Sequence, residues 1–339
     1  MPGLLWPRGG AYHPAADLAL PALARLLGQG TRRFLPFQPL NAQLARLFGL
    51  EADPLPLAAL RHRGEAAADQ QDEADAHWLC VDPVHLSFAS RQLLLSEFDP
   101  GEITLAEAHA LIAALNTDFA ELGQFSAAST TRWYLRLRHP DTARFFALHD
   151  VVGRPVEQFL PEGDAGHHWR HLMNEIQIAL HAHPLNLERE ATGRRTINSV
   201  WPWGAGTLAA PLHAPLPTVM SSDPLVRGFA LAARAQLAPP AVASALDSDT
   251  LVVLTPLLPA ARQFDADTWR STLATLETEW FAPLLAALTR RRLSRLQLLA
   301  PGDHGTLAVD LAPRPRWCLW RSPSPLALHR LSAPPPPAP

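Results

Sequence analysis

No lysine occurs anywhere in the 339 residues, so all 29 basic side chains are arginine. That absence excludes Schiff-base catalysis through an ε-amino group, a pyridoxal phosphate anchor and the lysine of a Walker loop. Cysteine is nearly as scarce. Cys80 and Cys318, far apart in the chain, cannot supply a disulfide framework or a four-thiolate zinc site, and a reducing compartment is the expectation. An excess of one charge is also missing: a formal net charge of -3 gives no electrostatic case for nucleic acid or for an anionic membrane surface. No stretch approaches the ~20 apolar residues of a membrane span. The opening "MPGLLWPRGGAYHP" has neither the basic region nor the apolar run of a signal peptide. The protein is expected to be cytoplasmic, with no nucleic acid and no membrane among its partners.

What is present is apolar: 47% of the residues are hydrophobic, enough for a substantial core in two domains or in one large domain with an insertion. Leu18, Leu23, Leu26 and Leu27 predict an early helix, and Asn41 is placed to cap a second. The acidic run "RGEAAADQQDEADA" over 63–76 reads as a linker or an exposed helix and marks a boundary. Beyond it come the strands "HWLCVDP", "VHLSFAS" and "RQLLLSE", with Asp82 and Pro83 read as a turn. A helix follows whose capping box is Thr104 and Glu107, and then "TRWYLRL" alternates Trp133, Leu135 and Leu137 against Arg132, Tyr134 and Arg136. Residues 77–162 therefore predict a compact α+β unit.

From 163 to 332 helices and strands alternate, which predicts a mixed sheet covered by helices. The first helix, from His167 to about Ala182, would bury Trp169, Leu172, Met173, Ile176 and Leu180. Strands are expected at "TINSVWPW", "PTVMSS", "TLVVLTPLL", "RLQLLA", "TLAVDL" and "RWCLWR". Helices are expected from Asp223 and Pro224 and from about Asp267, the latter kinked by Pro283. Residues 333–339 form a stiff proline-rich tail. The expected organisation is thus an α/β domain contributed by 1–76 and 163–332, interrupted by the 77–162 unit.

The segment "HAHPLNLEREATGRRTINSVWPWGAG", from His181 to Gly206, concentrates polar and aromatic residues. Asn174, Gln177 and His181 share one helix face, which reads either as a solvent face or, with Asn186 and with Arg189 as an anion clamp, as a ligand site. The strand that follows runs into a glycine turn where backbone must pass close to something, but no dinucleotide fingerprint follows it. Trp201 and Trp203 read as sheet-covering rings.

That segment, "HPLNLEREATGRRTINSVWPWGAG", resembles a motif of the RpfE-type bacterial regulatory proteins and, more loosely, of archaeal-type cofactor-independent phosphoglycerate mutases. The likeness to the regulatory family extends through "HWLCVDPVHL", "ALNTDF", "RWYLRL", "HLMNEIQIALHAHP" and "LETEWFAPLLAAL". The likeness to the mutases is specific at the motif and at "LVRGFA". It implies an alkaline-phosphatase-like α/β fold, a mixed sheet flanked by helices, with an inserted smaller α+β domain. Together with the reading of the helix face and loop, it gives Asn174, His181, Asn186, Arg189, Asn198, Trp203, Gly204 and Gly206 as the expected ligand-binding set.

In the mutases that the chain resembles, a serine near the chain start takes the phosphoryl group, and aspartates and histidines hold two metals that clamp the attacking and leaving oxygens. Here the first serine is Ser87, and Tyr12 and Thr31 are the only hydroxyls before it. "GLLWPRGG" carries no acid, and Asp17, Asp53 and Asp69 lack the motif's surroundings. Asp303 and His304, between two glycines, are weak metal candidates and read first as a tight turn. His167, His168 and His171 read as surface residues, and Arg132, Arg136 and Arg138 as an exposed sheet face or an anion grip. GxSxG and HExxH are both absent. The expectation is a phosphoglycerate-mutase-like, catalytically degenerate protein with no cofactor, binding an anionic metabolite or a regulatory protein partner. The alternatives are an active enzyme with a rearranged site, which would need manganese or zinc, and a structural scaffold.

Overall fold

The computed structural model describes residues 1–7, 13–65, 76–89, 92–208, 212–313 and 322–326. They divide into two units, one formed by Met1–Gly49 with His213–Pro339 and the other by Leu50–Leu212. In the first segment, Pro21 opens helix α1 (Pro21–Gln29), which buries Leu23, Leu26 and Leu27 as their spacing predicts. Strand β1 (Thr31–Leu35) follows, and then helix α2 (Leu40–Leu47). Pro39, rather than Asn41, stands at the cap position of α2. Its fixed φ already suits the residue before a helix.

The Leu50–Leu212 unit begins with α3 (Leu57–Glu65), continues through β2 (Trp78–Ala89) and β3 (Gln92–Glu97), and reaches α4 (Leu105–Asp118), closed by the expected capping box of Thr104 and Glu107. Strands β4 (Gly123–Ala127) and β5 (Trp133–Leu137), the short α5 (Leu148–Val151), α6 (Gly166–Ala182), α7 (Pro184–Ala191) and β6 (Ser199–Gly206) complete it. The strands form one antiparallel sheet in the order β3-β2-β5-β4, with β6 also paired to β2. No turn occurs at Asp82 and Pro83: β2 runs straight through them. The missing N–H of proline is tolerated there because β5 pairs β2 up to Cys80 and β3 pairs it only from Val84, which leaves 81–83 without a neighbour on that edge.

The alternation of "TRWYLRL" also resolves differently. Tyr134 is fully buried, because α3 lays His62 and Arg61 against its ring and so covers the second face of the strand. Helix α6 buries the five expected residues, of which Trp169, Leu172, Ile176 and Leu180 join Leu79, Ile112, Leu115, Trp133, Ile197 and Val200 around the unit's core. Pro184 stops α6 and also starts α7, while His183 between them accepts a bond from Leu185 N at 3.2 Å. Since β6 is a strand of the β2 sheet, residues 163–212 belong with this unit. The division therefore falls at 49/50 and 212/213, outside the composition boundaries at 76 and 162.

After His213 come β7 (Thr218–Met220), α8 (Pro224–Ala232), β8 (Gln236–Ala238), α9 (Val242–Ala245) and β9 (Thr250–Val252), with Asp223 capping α8 as expected. β7 lies between β8 and β9 in a small parallel sheet. Helices α10 (Leu257–Arg262), α11 (Ala266–Leu276) and α12 (Ala282–Thr289) lead to the hairpin of β10 (Leu296–Gly302) and β11 (Gly305–Leu311). β1 pairs with β11 to make the antiparallel order β1-β11-β10. The expected kink at Pro283 is a single π turn, Glu277–Phe281, in which Ala282 N reaches back to Glu277 O. Widening the turn accommodates a proline that cannot donate. Glu277 then uses its side chain elsewhere, accepting from Ala22 N at 2.6 Å and Leu23 N at 3.1 Å, and so caps α1, which has no side-chain cap of its own. The expected strand "RWCLWR", the acidic run over 66–75 and the proline tail lie outside the described residues.

Candidate functional site

The polar centre of the Leu50–Leu212 unit is built on Asp82, which the straight course of β2 turns inward. Each carboxylate oxygen accepts two bonds. Oδ1 takes Arg61 Nη2 at 2.7 Å and the backbone N–H of Trp133 at 3.0 Å, and Oδ2 takes Arg61 Nη1 at 2.8 Å and Trp203 Nε1 at 2.9 Å. The Arg61 guanidinium lies 4.7 Å from the centre of the Tyr134 ring and 4.9 Å from that of Trp203. Burial opposes its charge, but Asp82 outweighs this and holds its pKa well above the ordinary value. One turn further along α3, Glu65 accepts from Arg132 and, at 3.1 Å, from the Tyr134 hydroxyl. Burial pushes the Cys80 thiol far up, so it is held as the protonated, unreactive form. A carboxylate whose four acceptor positions are filled is a structural anchor rather than a base.

The 183–198 segment forms a second charged centre. Arg189, 2% exposed, donates to Arg195 O, Glu102 O and Glu107 Oε1. Arg194 also reaches Glu107 at 2.8 Å, and Arg195 pairs with Glu102. Burial disfavours ionisation of both glutamates, yet their hydrogen bonds to arginine and to backbone prevail and lower both pKa values. Asn186 donates to Leu180 O and Ile197 O and accepts from Ile197 N, stitching the end of α6 to the start of β6. Asn198 holds the N–H and the C=O of Leu86 in the same way.

The eight residues of the expected ligand set therefore do not share one surface. Asn186, Arg189 and Asn198 turn their polar atoms inward onto the fold, and Trp203 onto Asp82. Asn174 and His181 lie on the exposed side of α6. Gly204 (φ +69°) and Gly206 (φ +150°) do mark a close approach, and what they approach is α3 and the residue before it. A Cβ on Gly204 would stand 3.0 Å from Leu57 Cβ and 3.1 Å from Ala58 N, and one on Gly206 would stand 3.0 Å from Pro56.

Asp303 and His304 are the exposed tip of the β10–β11 hairpin, the two residues between the paired Gly302 and Gly305. Among the described residues no three His, Cys, Asp or Glu side chains gather as a metal would require. The donor set of a two-metal phosphotransfer site is thus not assembled by these residues. His167 and His168 are exposed, and His171 faces Glu175 at 3.3 Å. Arg132 is taken by Glu65, which separates it from the grip expected with Arg136 and Arg138.

Sequence reading missed Arg61, Glu65, Glu102 and the burial of Tyr134. The available signal was the spacing of four between Arg61 and Glu65, which puts both on one helical face.

A family model described as 2,3-bisphosphoglycerate-independent phosphoglycerate mutase matches residues 83–186, inside the Leu50–Leu212 unit. The chain is 37% identical over 113 residues to 2,3-bisphosphoglycerate-independent phosphoglycerate mutase 2 of Methanothermobacter thermautotrophicus, a match covering 32% of this chain and 28% of that protein. It is 28% identical over 160 residues to a probable enzyme of the same description from Geobacter sulfurreducens, covering 45% of this chain and 40% of the relative. The chain thus matches less than half the length of these relatives. Among solved structures, the PH0037 protein of Pyrococcus horikoshii superposes with a TM-score of 0.52 at 14% identity, covering 88% of this chain and 81% of that one. The fold is of the mixed α/β class expected from the sequence, and over the matched residues the chain is phosphoglycerate-mutase-like. No helix among the described residues is long and apolar enough to cross a membrane.

Proposed function

We propose that this phosphoglycerate-mutase-like protein no longer transfers phosphoryl groups and instead binds a small anionic metabolite in the cytoplasm, in a regulatory role of the kind the RpfE-type family name implies. The observation that carries this reading is the position of Asp303 and His304. The pair that could have held a metal sits on an exposed two-residue turn, with no third ligand gathered beside it among the described residues. The late first serine, Ser87, supports it, because that residue lies in mid-strand on β2 rather than at the start of the chain. Recognition falls to exposed polar residues in and just before the motif: Asn174 and His181 on α6, and Arg194 after α7.

Two measurements test the proposal. The purified chain is assayed for phosphoglycerate mutase turnover with manganese or zinc present, and its metal content is determined. Stoichiometric metal together with turnover would overturn the degenerate reading in favour of an active enzyme. In the second, thermal unfolding is followed with 3-phosphoglycerate added. A ligand of the native state stabilises it by about 2.7 kcal/mol at a hundredfold excess over Kd, so the midpoint should rise by several degrees. Arg194→Ala should remove that rise while lowering the midpoint of the free protein only slightly, since the bond lost to Glu107 is exposed and Arg189 still pairs with that carboxylate. Absence of a rise with any phosphorylated acid would leave the scaffold reading.

A further inference from the structure

β11 is buried along both faces, whereas its neighbour β1 is exposed at all five residues. The register makes the contrast sharp. Arg32 and Phe34 stand directly opposite Val309 and Leu307, so all four side chains project from the same face of the sheet. Val309 and Leu307 are fully buried in the core of helices α1, α11 and α12, while Phe34 on that same face is 58% exposed. Leu35 and Phe37 beside it are 44% and 55% exposed. The apolar layer thus continues one strand beyond the helices that cover it. Among the described residues no strand pairs the other edge of β1. An edge of this kind offers unpaired N–H and C=O groups together with apolar side chains, the two requirements for strand addition.

Charge selects the occupant. Arg32 and Arg33 are adjacent on β1, and the Asp310 carboxylate that Arg33 reaches at 2.7 Å also accepts from Arg295. A second copy is a poor fit. Antiparallel self-pairing centred on Arg32 or Arg33 sets like charges face to face, and centred on Phe34 it sets Arg32 opposite Pro36, which has no N–H.

We propose that the edge of β1 left unpaired by the described strands takes an extended acidic segment of a protein partner as an antiparallel fourth strand, with carboxylates opposite Arg32 and Arg33 and aliphatic side chains opposite Phe34 and Leu35. The inference is independent of the mutase reading.

The register specifies a probe: a capped, labelled peptide centred on Val-Val-Glu-Glu-Thr, titrated with the full chain by fluorescence anisotropy. Saturable binding below ~1 mM is expected, weaker by on the order of tenfold for Val-Val-Arg-Arg-Thr, because opposed charges are replaced by like charges at two positions. Arg32→Glu should bring the two peptides to within about threefold of each other, with a melting temperature near that of the parent. Two further peptides, N-methylated at alternate residues in the two possible phases, report the backbone. A strand adding to one edge uses every second N–H, so one phase should bind and the other should not. Equal binding of the Glu and Arg peptides, insensitivity to both methylation phases, or no saturable binding would each overturn the proposal. A concentration-dependent dimer in sedimentation that Phe34→Asp abolishes would also overturn it, assigning the edge to a second copy.

Discussion

A carboxylate that accepts four bonds inside a core stabilises the fold only together with the cation it faces. Replacing Asp82 by Asn keeps the shape but leaves the Arg61 guanidinium buried without a counter-charge, and removal of one partner from such a pair costs about 3–5 kcal/mol. Urea unfolding should show that loss for Asp82→Asn. The double variant Arg61→Met with Asp82→Leu should be markedly less destabilised than the sum of the single changes, since it removes both desolvation penalties together. Glu102 and Glu107 add a pH dependence of definite sign. Their folded pKa values lie below the ordinary glutamate value, so the stability they contribute is fully present above the unfolded value near ~4.3. It is lost as pH falls through the lowered folded values. Acid titration of the unfolding free energy should therefore fall less steeply below about pH 4.3 in Glu107→Gln than in the parent. At this scale the sequence marked Arg189 as a residue with work to do and read Asp82 as part of a turn. It did not reveal that their partners are Arg61 and Glu107, which lie 21 and 82 positions away.

Elements depend on how closely they approach one another. Gly204 and Gly193 both have positive φ, +69° and +70°, but a Cβ on Gly193 meets nothing within 4 Å while one on Gly204 meets α3. Gly193→Ala should cost about 1 kcal/mol of backbone strain. Gly204→Ala should cost a further ~1–3 kcal/mol for overpacking, read as the difference between their denaturant midpoints. Glu277 gives an element-scale prediction in the other unit. Truncation to Ala leaves two buried N–H groups of α1 unbonded, a loss of about 1–3 kcal/mol, which Glu277→Gln should avoid only in part: Ala22 and Leu23 donate to different carboxylate oxygens, and the amide keeps one acceptor while its NH2 faces the other N–H. Helices with a full periodic stripe or a local cap, such as α4, α6 and α8, were legible because their signals lie within one turn or one face. β2 was misread as two strands and a turn, because the local preference of Asp-Pro for turns was overridden by pairing with β6, more than a hundred residues away.

Among the described residues, two hydrophobic clusters each draw on one unit of the chain. The residues clustered around Trp133 and Trp169 lie between Leu79 and Ala205, and those around Trp269 lie in the flanking segments of the chain. A fragment spanning Leu50–Leu212 carries its entire cluster, and it should unfold in one cooperative transition when expressed alone. Urea titration followed by tryptophan fluorescence would show this, and a non-cooperative, sloping transition would refute it. By itself the sequence determined the α/β class, the presence of an inserted unit, the limits of α6, the caps of α4 and α8 and the absence of lysine chemistry, since each depends on composition or on spacing within about a dozen residues. Only the tertiary structure decided that β6 joins the β2 sheet and moves the unit boundary to 212. The turn at Asp303 and His304 was legible from the glycines that flank it, whereas the tertiary structure likewise decided that Asn186, Arg189 and Asn198 bind the protein's own backbone. Those outcomes depend on which distant groups fill a polar atom's bonding positions, and local spacing carries no record of that.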